Sequence, residues 1–298
     1  MKTKVAVVQA TPALFDKNRT LNIVADWTKK VAQEGAQLVL FPEAFIPCYP
    51  RGLSFGAVVG SRKAEGREHW LKYNSESVVV PSTDTERLAQ IAKEHQVYLI
   101  IGIIEKDQTS SLYCTMLYFS PDGKLMGKHR KLKPTGSERI IWGEGDGSDL
   151  HVFDTPFGKL GGLICWENYM PLARFALYQQ NIQIYLAPTA DHRESWTASM
   201  QHIACEGRCF VLGCNQYVEK SDYPEAFQAE ITDQPDIMSK GGSVIVDPLG
   251  NIIAGPLWDQ EGILFADIDV EDTVRGKLDF DATGHYNRPD VFEFRVKT

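Results

Sequence analysis

A mixed α/β sandwich is the fold class this sequence predicts, and three observations predict it. Short apolar runs of strand character alternate with amphipathic stretches of helical period. Several strand runs are joined by tight turns, such as Pro121-Asp122-Gly123 and Pro248-Leu249-Gly250, which interrupt the βαβ rhythm of a Rossmann sheet or a barrel. No linker, low-complexity tract or short-period repeat divides the chain. Residues 1–298 therefore read as one domain, with a short C-terminal tail from about residue 281.

The elements follow in order. Residues 4–9 (KVAVVQ) read as a buried strand. Residues 16–36 carry Leu21, Val24, Ala25, Trp27 and Val31 near helical spacing, and Gly35 suits the helix end. A second buried strand, residues 37–41, closes at Pro42-Glu43 and leaves a carboxylate at a sheet rim. From 44 to 80 the pattern dissolves into Gly, Pro, Tyr, Arg and Ser, a loop long enough to shape a pocket or an interface. Asp84 suits the cap of a helix running to about residue 96. Strands are expected at 97–104, 112–120 and 124–128. A basic run at 128–133 and a glycine-rich loop to 147 come next. Residues 150–154 and 159–164 read as strands about a turn at 155–158. Helices at 171–180, 193–207 and 270–280 are expected among strands at 183–187, 209–215, 242–247, 251–254 and 263–268. Residues 221–239 read as polar and irregular.

Bulk properties narrow the function. At 298 residues, roughly 75% of the unfolded surface can be buried, so no covalent staples are needed. A net charge of −8 argues against nucleic acid and anionic membranes as partners. Six cysteines in so long a chain do not form a disulfide scaffold. The first residues enter a strand without a signal-peptide core, and no apolar run approaches the ~20 residues of a membrane span. The expectation is a soluble, cytoplasmic protein.

The stretch 161–168 is the centre of the reading. An apolar strand with two glycines ends on Cys165, followed by polar and aromatic residues and then Pro171 at a helix start. A cysteine at such a bend meets the amide-rich end of a helix, and both features are expected to raise its thiolate fraction and expose its sulfur. The plainer alternative is a core cysteine. Hydrolysing a carbon–nitrogen bond through cysteine also needs a proton shuttle and a cation to face developing charge. Glu43 and Lys131 supply those types, at a strand end and a strand-exit loop. His202, Cys205, Cys209 and Cys214 superficially suggest zinc, but their helix and strand patterns fit core cysteines better.

Three blocks carry a resemblance: Phe41-Pro42-Glu43-Ala44-Phe45, His129-Arg130-Lys131-Leu132-Lys133-Pro134-Thr135 and Cys165-Trp166-Glu167-Asn168. They resemble the signature blocks of the nitrilase superfamily, in family order. Tyr49-Pro50-Arg51-Gly52, the segments 141–147 and 187–191, and Gly284-His285-Tyr286-Asn287-Arg288-Pro289 are similar to its true nitrilase branch, both plant-type and related bacterial enzymes. The resemblance implies a four-layer αββα sandwich with Cys165 as nucleophile, Glu43 as general base and Lys131 as the cation, with Lys133 its rival. It implies Glu138 as a further active-site carboxylate orienting Lys131 and substrate.

The implied reaction turns an organic nitrile into a carboxylic acid and ammonia through a thioimidate and a thioester, with no metal or organic cofactor. An amidase or carbamoylase of the same superfamily is the alternative, and a non-catalytic scaffold the second. Trp166, Tyr49, His192 and Trp196 are expected around the substrate. Pro47-Cys48 and Ala190-Asp191-His192 hold larger groups than plant-type relatives, which points to altered preference. Family members pair through helical layers, so a homodimer or larger homo-oligomer is expected.

Overall fold

The structure, a computed structural model, describes residues 2–297. Two seven-stranded sheets form its middle. The first runs in the order Gly262–Asp269, Lys2–Gln9, Leu38–Leu40, Tyr98–Lys106, Leu112–Phe119, Leu125–Arg130, with Val78–Val79 beside Tyr98–Lys106. The second runs Tyr217–Glu219, Ile237–Val246, Phe210–Cys214, Ile184–Pro188, Gly158–Gly162, Phe153–Thr155, with Ile252–Trp258 beside Ile237–Val246. Parallel pairs occupy the centre of each sheet and antiparallel pairs its flanks.

Strand periodicity decides which layer each side chain enters. Val5, Val7, Leu38 and Leu40 meet Leu160, Ile184, Leu186 and Leu212 in the core between the sheets. Ala6, Val8, Val39 and Ile101 point the other way, under helices Lys17–Gln33 and Thr83–His95. On the second sheet Tyr185, Ala187 and Val211 face helices Pro171–Tyr178 and Glu194–Gly207. The result is the expected αββα stack: helix, sheet, sheet, helix. Near-continuous apolar strands are what a sheet covered on both faces requires.

Several expectations shift. Residues 44–80 are not all loop, because Ala64–Ser75 is a helix there. Only Gly66 and Tyr73 of that helix are buried, so it carries little apolar periodicity to read. The helix expected from Asp84 spans Thr83–His95, with Ser82 at its cap and the Ser82 N–H donating to Thr85 Oγ1 at 2.8 Å. The last helix is only Glu271–Gly276, and Ile237–Val246 starts inside the stretch read as irregular. Beyond Gly276 no described residue is in a helix or strand, and Phe294 packs edge-on against Phe175, ring centroids 5.0 Å apart. Among the described residues, no helix is long and apolar enough to cross a membrane.

Candidate active site

Four candidate side chains converge from segments that follow strands of both sheets. Glu43 follows Leu38–Leu40 in a turn that bends through Ala44, with φ 47°. The turn lies so close to Gly102 that a Cβ there would meet the Pro42 carbonyl oxygen at 2.4 Å and Glu43 Cα at 2.7 Å. Only glycine fits that strand position. Lys131 follows Leu125–Arg130, its N–H donating to the Cys114 carbonyl at 2.8 Å and its carbonyl accepting from Gly145 N–H at 2.9 Å.

Glu138 sits in the 3-10 turn Gly136–Ile140 and Cys165 opens the 3-10 turn Cys165–Tyr169. Cys165 has φ 52°, a left-handed conformation that costs a non-glycine residue energy and is met at functional bends. The Asn168 side-chain amide holds the bend by donating to the Leu163 and Cys165 carbonyls, at 3.0 and 2.8 Å.

Lys131 is wholly buried and its Nζ donates to Glu43 Oε1 at 2.6 Å and to Glu138 Oε2 at 2.8 Å. Glu138 also accepts from Tyr49 O–H at 2.8 Å and from Thr135 N–H at 2.6 Å. Glu43 Oε1 faces the Cys114 thiol at 3.5 Å. Its Oε2 is buried without a hydrogen-bond partner among the described residues, and the Cys165 thiol lies against this carboxylate. Thr189, just past strand Ile184–Pro188, donates its hydroxyl to Cys165 Sγ at 3.2 Å.

Burial pushes the Glu43 carboxyl above its ordinary range, and Lys131 only partly opposes it. Burial works against the charge on Lys131, but Glu43, Cys165 and Glu138 outweigh it and hold the ammonium. The expectation of a ready thiolate is overturned. Burial and the facing Glu43 carboxylate raise the Cys165 thiol to about 12, and its residue is only 5% exposed. One turn of 3-10 helix offers less dipole than desolvation and a neighbouring anion take away. Cys165 rests as a thiol beside the Glu43 carboxyl.

A cavity of about 300 Å³ opens on Cys165 and Glu138, walled by Tyr49, Trp166, Asp191 and His192. A second of about 510 Å³ shares Tyr49, Arg51 and Glu138 with it and adds the apolar Leu53, Ile140, Ile141 and Trp142. Trp166 is pinned by its indole N–H to Asp191 Oδ2 at 2.8 Å, with the Arg193 guanidinium 4.9 Å above its ring. Burial, with Arg51 and Lys240 nearby, lowers His192 to about 4, so its ring is neutral at neutral pH.

Trp196 corrects the expectation. It is 2% exposed and packs with Met200, Ile203 and Ala204 in the helix–sheet core, lining neither cavity. Lys133 is half exposed and pairs with Glu144, away from the buried cluster. Cys48 is buried and lines neither cavity. His202, Cys205, Cys209 and Cys214 do not gather, and the described residues contain no group of three or more His, Cys, Asp or Glu arranged to hold a metal. Sequence reasoning flagged Asp191 beside the pocket but gave Thr189 and Arg51 no role of their own. A hydroxyl directly after a buried strand was the available signal for Thr189.

The fold and the cluster define a hydrolase of carbon–nitrogen bonds: over residues 4–277 the chain matches the carbon-nitrogen hydrolase model and belongs to that family. Its resemblance to the nitrilase superfamily is borne out. It is 51% identical over 296 residues to an aliphatic nitrilase of Sinorhizobium fredii (strain HH103), covering 99% of this chain and 96% of the relative. Nitrilase 2 of Arabidopsis thaliana is 49% identical, over 98% of this chain and 88% of its own. The bifunctional nitrilase/nitrile hydratase NIT4A of Lupinus angustifolius is 48% identical, over 99% and 86%. Among solved structures, a carbon-nitrogen hydrolase from Helicobacter pylori G27 superposes with TM-score 0.76 at 21% identity, over 98% of this chain and 97% of that one. Saccharomyces cerevisiae Nit3 gives 0.73 at 23%, over 96% and 97%. These two show the fold.

Proposed function

We propose that this chain is a nitrilase, converting an organic nitrile and two waters into a carboxylic acid and ammonia at a Glu43, Lys131, Glu138 and Cys165 centre. The observation that carries the reading is the buried ammonium of Lys131 bridging two carboxylates, one of them against the Cys165 thiol. About 50% identity to curated nitrilases over nearly the whole chain supports the substrate.

As Sγ bonds to the nitrile carbon, Glu43 takes the thiol proton. The nitrogen, gaining charge, faces Lys131 and the backbone N–H of Trp166 and takes the proton back from Glu43 to give a thioimidate. Water, its proton taken by Glu43, adds to that carbon, and the resulting tetrahedral species expels ammonia to leave a thioester. A second water cleaves the thioester and returns the thiol. Expulsion of sulfur instead of nitrogen at the tetrahedral stage releases an amide, the partition that bifunctional nitrilase/nitrile hydratase relatives are named for. The balance needs no cofactor.

The apolar cavity beside the polar one suits aliphatic or arylaliphatic nitriles, with Tyr49, Trp166 and His192 around the substrate. The reading extends to one hydrolase domain over residues 1–298, acting in the cytoplasm as a homodimer or larger homo-oligomer, without nucleic-acid or membrane partners. Separate nitrile and amide panels, scored for ammonia and acid, test it. Turnover of nitriles with a covalent adduct on Cys165 by intact mass is expected. Turnover of amides alone, or undiminished nitrile turnover by Cys165→Ala, overturns it.

A further inference from the structure

Lys131 follows a strand of one sheet and Cys165 a strand of the other, yet a buried ionic relay ties their backbones together. Glu167 lies two residues beyond Cys165 and its side chain is fully buried. Its Oε1 accepts the N–H of Leu132, next to Lys131, at 2.5 Å. Its Oε2 accepts the N–H of Ile164, next to Cys165, at 2.7 Å. The same carboxylate faces His129 Nε2 at 3.1 Å, and His129 Nδ1 faces Asp149 Oδ1 at 3.0 Å. Asp149 Oδ2 accepts the Arg130 N–H at 2.8 Å. Peptide N–H groups on both sides of Lys131 therefore end on carboxylates joined through one imidazole.

We propose that Glu167, held by His129 and Asp149, is a positioning residue that fixes the spacing between Lys131 and Cys165. Three facts carry it beyond a simple staple. The two N–H groups that Glu167 accepts each adjoin a different member of the reacting set. They follow strands of different sheets, so no local secondary structure fixes their separation. The relay is also costly to bury unless its charges match, and His129 supplies the cation between two anions. Held between Glu167 and Asp149 against the cost of burial, His129 is raised to about 10 and donates through both ring nitrogens. Neither Glu167 nor His129 lines either cavity of the site, so neither touches substrate there.

The inference rests on the assignment of Lys131 and Cys165 as catalytic, and the test separates the two. Glu167→Gln keeps the shape but turns an –NH2 toward a peptide donor, so the gap it spans must open. Misplacing catalytic groups by about 1 Å costs on the order of a hundredfold. The expected result is a ten- to hundredfold loss in kcat, counted per Cys165 labelled by an alkylating probe, with KM changed less than threefold. Glu167→Leu, without an acceptor, loses more than Glu167→Gln. Asp149→Asn, at a less buried position, gives a smaller loss of the same kind and carries the test if the Glu167 variants do not fold. Wild-type kcat per labelled site in the folded variants overturns the inference. So does a loss confined to the number of labelled sites. Turnover surviving in Cys165→Ala would instead remove the catalytic assignment itself.

Discussion

Replacing Lys131 with methionine removes the one cation from a buried group of three charges while nearly keeping side-chain length. The ammonium is inaccessible to solvent and bonds Glu43 at 2.6 Å and Glu138 at 2.8 Å, so both carboxylates lose their countercharge together. Breaking a buried pair in this way costs about 3–5 kcal/mol. For a chain of this size that is a fall in Tm on the order of 10 °C. The pH dependence has a defined sign. Without Lys131, burial and the neighbouring Glu138 charge raise the folded-state pKa of Glu43 still further above the unfolded value. The folded chain then holds a proton that the unfolded chain has released. Stability is therefore greatest below the unfolded carboxylate range and is lost as pH rises through the raised value. The deficit of Lys131→Met against wild type should be larger at pH 8 than at pH 5 by scanning calorimetry. Ammonia release should fall by at least about a hundredfold, the loss expected when a group stabilising developing charge is removed. A deficit below ~1 kcal/mol at pH 8, or one of equal size at both pH values, would refute the electrostatic account of the cluster.

Other outcomes follow from single contacts. Thr189→Val removes the hydroxyl that donates to Cys165 Sγ and accepts from Asp191 N–H, so kcat/KM and the alkylation rate of Cys165 should each fall about five- to tenfold. Unchanged alkylation would show that the hydroxyl does not steady the sulfur. Tyr49→Phe deletes a donor to Glu138, and a bond to a charged group of about 1.5–3 kcal/mol predicts at least a tenfold loss in kcat/KM with little change in fold. Equal kinetics would release Glu138 from dependence on the phenol. His129, raised to about 10 in the folded chain, contributes stability fully below pH ~6.5 that is lost as pH rises through its folded value. Between pH 7 and 10 the Tm of wild type should fall more steeply than that of His129→Gln, and parallel curves would contradict the imidazolium.

The layers and the three clustered side chains were legible because they are written locally. Apolar runs marked the strands, and Glu43, Lys131 and Cys165 each close or follow one. Trp196 shows a signal present but passed over. With Met200, Ile203 and Ala204 it forms an i, i+4, i+7, i+8 stripe, the mark of a helix face turned to the core. The helix Ala64–Ser75 left no such stripe. The protonation of Cys165 was not readable at all, since it depends on Glu43 and on burial supplied by distant segments. Nor was the contact between His129 and Glu167, which spans 38 residues.

The two-sheet construction has a consequence for how this molecule tolerates change. Glu43 and Lys131 ride on one slab, Cys165 and Thr189 on the other, and packed side chains such as Leu40, Leu186 and Leu212 form the bearing between them. Trimming that bearing is expected to shift the slabs against each other and lower turnover in a chain that is still folded, so remote interior positions bear on reactivity as well as the rim.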